Sequence, residues 1–341
     1  MKSAVLHAAK NIQTEELPIP KPGDGEILIK VMACGICGTD VHIFEGDKGA
    51  ADNPLPIVLG HEFAGIVEET GRNAGDFKQG DPVCIDPNVL CGHCYYCLNG
   101  IGHFCENMVG IGTTVYGGFS QYCVVPRRAV YRLGDKVSFA EGAMAEPLAC
   151  CLHGIDMCGI SPGDNVVVIG GGMIGLLMLQ LAKISGAAHV TLIEPVASKR
   201  ETGRSLGADL CIDPVLEDVK SALCSAGIRR AGIVIECVGK PATIQQAIDI
   251  AGNKSVVMMF GLTKPEEKIE VLPYEVFRKE LEIKASFINP YSIGRAIALI
   301  NQKRVDVSSM VADLIPLERL GEILASTELR SNGKYIVDPW L

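Results

Sequence analysis

Residues 165–186, NVVVIGGGMIGLLMLQLAKISG, run from an apolar stretch through a glycine cluster into a helix-forming stretch. Gly170, Gly172 and Gly175 fit the pattern G-x-G-x-x-G. In a strand–turn–helix unit the first glycine makes the tight turn. The second lets a pyrophosphate approach the backbone, and the third lets helix and strand pack closely. The helix N-terminus then offers free N–H groups and a positive dipole end to the anion. The motif is short, so its context matters. A second apolar run, HVTLIE, ends in Glu194, near the spacing of about 20 residues at which an acid reads the ribose hydroxyls. A carboxylate there repels a 2′-phosphate, which favours NAD over NADP. Lys199 and Arg200 stand nearby and are cations of the kind that accept such a phosphate.

The pattern continues as GIVIECVG, PATIQQAIDIAG and SVVMMFG, fading near residue 288. Fully apolar strands alternating with helices predict an α/β domain over 148–288, with a parallel sheet covered on both faces. Residues 1–147 read differently. EILIKVMACGIC, IVLGHEFAGIVEET and GFSQYCVVP are strand-like runs separated by turn residues. A chain of 341 residues is long for one core, so two domains are expected. The tail, 289–341, has helical periodicity and ends in a short strand-like run, GKYIV. Spacing alone leaves open which domain it joins.

The net charge of −9 argues against a nucleic-acid partner. The most apolar window, 166–182, is short for a membrane span and is interrupted by four glycines. The N-terminal stretch has no apolar h-region, so a cytoplasmic location is expected. Disulfides are then disfavoured for the fourteen cysteines, leaving metal ligands and buried thiols.

Cys91, Cys94, Cys97 and Cys105 form C-x2-C-x2-C-x7-C. Four thiolates satisfy a tetrahedral Zn²⁺ with no position left for substrate, so such a site is structural. Disulfides and an iron–sulfur cluster are the other uses of four cysteines. His93 and His103 are read as bystanders. Cys37, His61 and a carboxylate could form a second, open site. Glu62, next to His61 in GHEFAG, and Glu146, in AMAEPLACCLHG, compete for the carboxylate position, and Asp40 is a further acid beside the cysteine. Neighbours on a regular strand face opposite ways, so His61 and Glu62 reach one ion only if the chain bends after Gly60. Cys34 and Cys37 also read as a C-x-x-C redox pair, but no thioredoxin-like context surrounds them.

CGICGTDVH (34–42), GHEFAG (60–65), the four-cysteine lobe, GGFSQYCVVP (117–126), AEPLACCLHG (145–154) and VVVIGGGMIG (166–175) together resemble the zinc-containing medium-chain dehydrogenase/reductase family. The resemblance spans the chain and is strongest to the polyol (sorbitol- and arabitol-like) and threonine dehydrogenase branches. It implies a GroES-like β-barrel catalytic domain over 1–147 and 289–341, and a doubly wound Rossmann domain over 148–288. It implies catalytic zinc on Cys37 and His61, completed by Glu62 or Glu146, and a structural zinc in the lobe. Thr39 and His42 match the family's proton relay. Ile174, Glu194 and Lys199 match ribose and pyrophosphate positions. Phe260, Gly261, Leu262, Ser286 and Phe287 match segments whose backbone holds the nicotinamide carboxamide. The implied activity is hydride transfer from a secondary alcohol of a polyol or sugar derivative to NAD. L-Threonine 3-dehydrogenase and amino-cyclitol dehydrogenase are the alternatives, and an NAD-binding zinc sensor is the non-enzymatic one. The family is commonly a homodimer or homotetramer, with a small-molecule substrate as partner.

Overall fold

The computed structural model describes residues 1–47 and 54–341. The chain forms two compact units, Met1–Ala149 with Asn289–Leu341, and Cys150–Ile288.

The first unit is organised around one strand, Glu26–Gly35. Its β-branched and aliphatic residues are buried, with Ile27, Ile29 and Val31 inaccessible to solvent. Glu62–Thr70 pairs along one edge, antiparallel. Two strands share the other edge in succession. Tyr122–Pro126 pairs with residues 26–30, and Lys334–Val337 pairs with Cys34 and Gly35. The tail therefore belongs to this unit. It enters through the helix Ile293–Asn301, whose Ile293, Ala296, Ile297 and Ile300 form one buried stripe at helical spacing. It then adds Val311–Ile315 and Lys334–Val337, parallel to each other, to a seven-stranded sheet. Phe63 and Phe119 are the largest buried side chains of the core beneath.

Where the tail rejoins, Ile288 and Tyr291 adopt positive φ of 47° and 56°. For a β-branched residue this is an uncommon conformation that persists only when surroundings impose it. Asn289, 1% exposed, is pinned beside them. Asn88 Nδ2 donates to Asn289 Oδ1 at 2.6 Å. Asn289 Nδ2 donates to Asp86 Oδ1 at 3.4 Å, and the Asn88 N–H donates to the same oxygen at 3.1 Å.

The second unit is a six-stranded parallel sheet in the order Leu210–Ile212, His189–Ile193, Asn165–Ile169, Ala231–Glu236, Ala251–Met259, Glu282–Ala285. The order runs outward in both directions from Asn165–Ile169, so the chain reverses direction across the sheet between that strand and Ala231–Glu236. Such a switch point opens a crevice at the carboxyl ends of the strands. Val166, Val167 and Val168 are wholly buried, as a strand covered on both faces requires. No helix among the described residues is long and apolar enough to cross a membrane.

Burial pushes the Asp86 carboxyl up to about 6, against hydrogen bonds from Asn88 and Asn289 that lower it. The folded state thus holds this proton more tightly than the unfolded chain, and stability is lost as pH rises from about 4 to about 6. Asp86→Asn removes that loss. Urea unfolding at pH 4 and pH 7 should show the variant gaining on the wild type by roughly 2–3 kcal/mol between the two pH values. A gap independent of pH would contradict the assignment.

Candidate metal centre and dinucleotide cradle

The central strand stops at Gly35, and Cys37 becomes the N-cap of the helix Gly38–Glu45. Asp40, three positions on, turns back and accepts the Cys37 N–H at 2.8 Å through Oδ2. Its other oxygen lies 3.4 Å from His61 Nδ1. One wholly buried carboxylate thus fixes the cysteine backbone and orients the histidine, leaving Nε2 as the ring nitrogen free for a ligand role.

His61 occupies the break between the strands Ile57–Val58 and Glu62–Thr70. Gly60 makes the bend with φ 94°. A Cβ there would sit 2.7 Å from Cys34 Sγ and 2.8 Å from the Phe119 nitrogen, so only glycine fits. Because His61 precedes the strand, strand alternation does not separate it from Glu62. Cys37, His61 and Glu62 each bring one ligand atom within 4.8 Å of the others. Glu146 is buried in the first turn of the helix Ala145–Cys158 and falls outside that group.

These residues fit Zn²⁺. Sulfur, imidazole and carboxylate are its usual donors, and three of them leave a position open. The donors are also held from behind: Asp40 Oδ1 faces His61 Nδ1, and Lys334 Nζ meets Glu62 Oε2, the kind of buried support that orients groups for an ion. Burial would lower the His61 imidazolium, but Asp40 and Cys37 outweigh it and hold the group well above an ordinary histidine. The pocket favours positive charge. Thr39 Oγ1 lies 3.7 Å from Cys37 Sγ. His42, one helical turn on, is partly exposed with Nδ1 3.1 Å from Asp47. Cys34 is wholly buried, and burial pushes its thiol well up, which suits a small hydrophobe rather than a redox partner.

In the lobe, Cys91, Cys94, Cys97 and Cys105 likewise converge within 4.8 Å. The N–H groups of Cys91 and Cys94 point at the sulfurs of Cys105 and Cys91, at 3.3 and 3.4 Å. Backbone N–H groups, that of His93 foremost, draw the Cys91 thiol down to about 6, so it is largely thiolate at neutral pH. The ring of exposed His93 turns instead to the Cys91 carbonyl, at 3.1 Å.

In the second unit the glycine turn caps the helix Met173–Ile184, with Gly172 as N-cap. Gly170 has φ 102°, and a Cβ on it would lie 2.7 Å from Val238. A Cβ on Gly175 would strike the Gly170 carbonyl. A Cβ on Gly172 would meet no protein atom within 4 Å. The fold itself therefore demands the first and third glycines, while the second guards space that only a bound group would need. Glu194 lies at the rim, its Oε2 accepting the Gly171 N–H at 2.6 Å and its Oε1 the Val196 N–H at 2.8 Å. Arg200 is committed elsewhere, to the Glu194 carbonyl at 2.7 Å and to Asp213 at 2.9 Å. Lys199 is half-buried and Ile174 follows Gly172 in the first turn of the helix. Phe260, Gly261 and Leu262 leave the carboxyl end of Ala251–Met259, and Ser286 and Phe287 leave that of its neighbour Glu282–Ala285.

Two contributors, Glu236 and Lys334, carry no motif signal, and the role of a third, Asp40, is legible only in the fold. The sequence shows Asp40 as a further acid beside the cysteine, but not its place behind His61. Glu236, wholly buried, accepts the N–H groups of Val238 and Gly239 at 2.8 and 2.9 Å and so shapes the loop beside Gly170. Lys334, from the far end of the chain, forms a buried ion pair with Glu62. Burial would lower the Lys334 ammonium, but Glu62, Cys37 and Asp40 keep it raised and protonated.

Residues 23–135 match the Alcohol dehydrogenase GroES-like domain family, and residues 173–302 match the Zinc-binding dehydrogenase family. The chain is 37% identical to the scyllo-inosose 3-dehydrogenase of Thermotoga maritima, over 92% of this chain and 86% of the relative. It is 30% identical to the sorbitol dehydrogenase of Bacillus subtilis, over 94% and 91%. A zinc-binding dehydrogenase structure from Sinorhizobium meliloti, bound to NADP, superposes with a TM-score of 0.95 at 36% identity, over 99% of both chains.

Asp40→Asn should weaken Zn²⁺ binding at Cys37 and His61 by about 10- to 100-fold while sparing the four-cysteine site. Competition with a chromophoric chelator separates the two affinities. Equal loss at both sites, or at neither, would contradict the role given to Asp40.

Proposed function

This chain belongs to the zinc-dependent medium-chain alcohol dehydrogenases, and from that premise we propose that it oxidises a secondary hydroxyl of a polyol, sugar or cyclitol with NAD as hydride acceptor. The convergence of Cys37, His61 and Glu62 within 4.8 Å carries the reading, since three donors would leave a tetrahedral ion one position for substrate. Zinc held there would supply Lewis acidity toward a hydroxyl oxygen and lower its pKa.

This chain's own residues have separable roles in the proposal. Thr39, next to Cys37, receives the hydroxyl proton. His42, on the same helix and partly exposed, would carry it on to solvent. NAD, when bound, would supply the hydride acceptor, taking two electrons and one proton from the carbinol carbon, while the hydroxyl proton goes to water. The Gly170–Gly175 turn holds the pyrophosphate on the helix Met173–Ile184. Glu194, at the rim of that turn, reads the ribose hydroxyls and disfavours a 2′-phosphate. The prior engagement of Arg200 with Asp213 supports the same preference, since it leaves Lys199 as the nearby cation for NADP. The domain roles follow, with 1–149 and 289–341 carrying the metal and 150–288 the cofactor.

The relatives act on a cyclitol ketone and a hexitol by their names. Polyhydroxylated substrates are therefore the class proposed, with L-threonine as the alternative. NADH formation with a panel of hexitols, pentitols, inositols and L-threonine tests it. Activity is expected with at least one polyol, lost on removal of the open-site zinc and restored by adding it back. Turnover of L-threonine alone, or turnover indifferent to zinc removal, would overturn the proposal. On the chosen substrate, NAD is expected to exceed NADP in kcat/KM by at least about 10-fold, equal to about 1.4 kcal/mol of transition-state discrimination.

A further inference from the structure

Glu62 and Lys334 face each other across the central strand of the first unit. Glu62 opens one neighbouring strand, directly opposite Gly35. Lys334 opens the other, whose Ile336 pairs with the same glycine. Residues two apart share a face of a strand, so Lys334 leans diagonally over Gly35. A Cβ on Gly35 would lie 2.8 Å from Lys334 Cε and closer still to Glu62 Oε2. The missing side chain is thus the notch through which the two groups meet. Their side chains are 1% and 3% exposed, so water screens neither charge.

We propose that Lys334 is a positioning residue that shares the Glu62 carboxylate with the metal and so keeps Glu62 a releasable ligand. A carboxylate paired to an ammonium has less charge to give an ion, and one oxygen is held back on the lysine side. An incoming hydroxyl then meets a carboxylate that can give way rather than one fixed on the ion. Without Lys334, the Glu62 carboxylate loses its ammonium partner and stays on the ion for longer. The anions around the lysine are the reason an ammonium survives burial there, and the nearest of them is the Glu62 carboxylate. The inference rests on the open metal site proposed above, but its readouts need neither alcohol nor cofactor.

The test loads the full-length protein with Co²⁺ at the open site, with Cys37→Ser as the blank, and follows the visible spectrum and the rate of Co²⁺ loss to excess chelator. Lys334→Met is expected to slow release by about 10-fold, the lower end of what residues behind metal ligands contribute. Its visible band should change, as a carboxylate bound full-time to the ion alters the ligand field. Lys334→Arg keeps the charge and should release Co²⁺ near the wild-type rate. Adding Glu62→Gln to Lys334→Met should restore fast release. If Lys334→Met does not fold, Lys334→Gln, which keeps a hydrogen-bond donor without the charge, carries the same expectation. A neutral variant that releases Co²⁺ as fast as the wild type or faster, with an unchanged spectrum, overturns the proposal. Dehydrogenase assays that fail on every alcohol would leave this result standing, so the two readings fail separately.

Discussion

The pairing of Gly35 with Glu62 decides where the chemistry of the first unit can stand. Cys37 and His61 are far apart in sequence, and neither lies within a strand. They meet because one strand ends and its antiparallel neighbour begins at the same level of the sheet. A slip of one residue would turn Glu62 to the opposite face and carry His61 away from Cys37. The same register aims Asp40 at His61 from the helix above. It also brings Glu62 over the gap that Gly35 leaves, where Lys334 waits.

Around this point the unit concentrates buried charge. Asp40, Glu62 and Lys334 are all nearly inaccessible, and His61 is 7% exposed. Burying so many ionisable groups in an apolar barrel would be strongly unfavourable without mutual compensation. The Cys37 sulfur and the Asp40 and Glu62 carboxylates lie around His61 and Lys334 and raise both, which explains why the pocket draws positive charge. The second unit solves a different problem with backbone. Its proposed anion site is made of glycines and a helix end, and its acids, Glu194 and Glu236, are spent largely on backbone N–H groups that hold the loops in shape.

Much of this is written locally in the sequence. The four-cysteine spacing and the strand–glycine–helix run are short-range patterns, and the structure realises both within contiguous segments. The bend at Gly60 was legible because two ligand types at adjacent positions require one. What stayed hidden depends on register. No spacing rule tells which of Glu62 and Glu146 stands nearer Cys37; sheet pairing groups the former with it. Lys334 lies in an unremarkable GKYIV run, and its meaning appears only when that strand docks beside Gly35. The destination of the tail was likewise undecided by periodicity, since an amphipathic helix such as Ile293–Asn301 can cover any apolar face. Pairing of Lys334–Val337 with the central strand fixes it.

The central claim is that one chain holds two unlike zinc sites, one closed by four thiolates and one left open by a single thiolate. Zinc X-ray absorption on the purified full-length protein, with metal content measured on the same sample, tests this most directly. Two zinc ions per chain are expected, with an average near 2.5 sulfurs per ion, five thiolates being shared between two sites, and nitrogen and oxygen scatterers making up the rest. A single zinc per chain surrounded by four sulfurs would contradict it, because the Cys37, His61 and Glu62 cluster would then hold no metal.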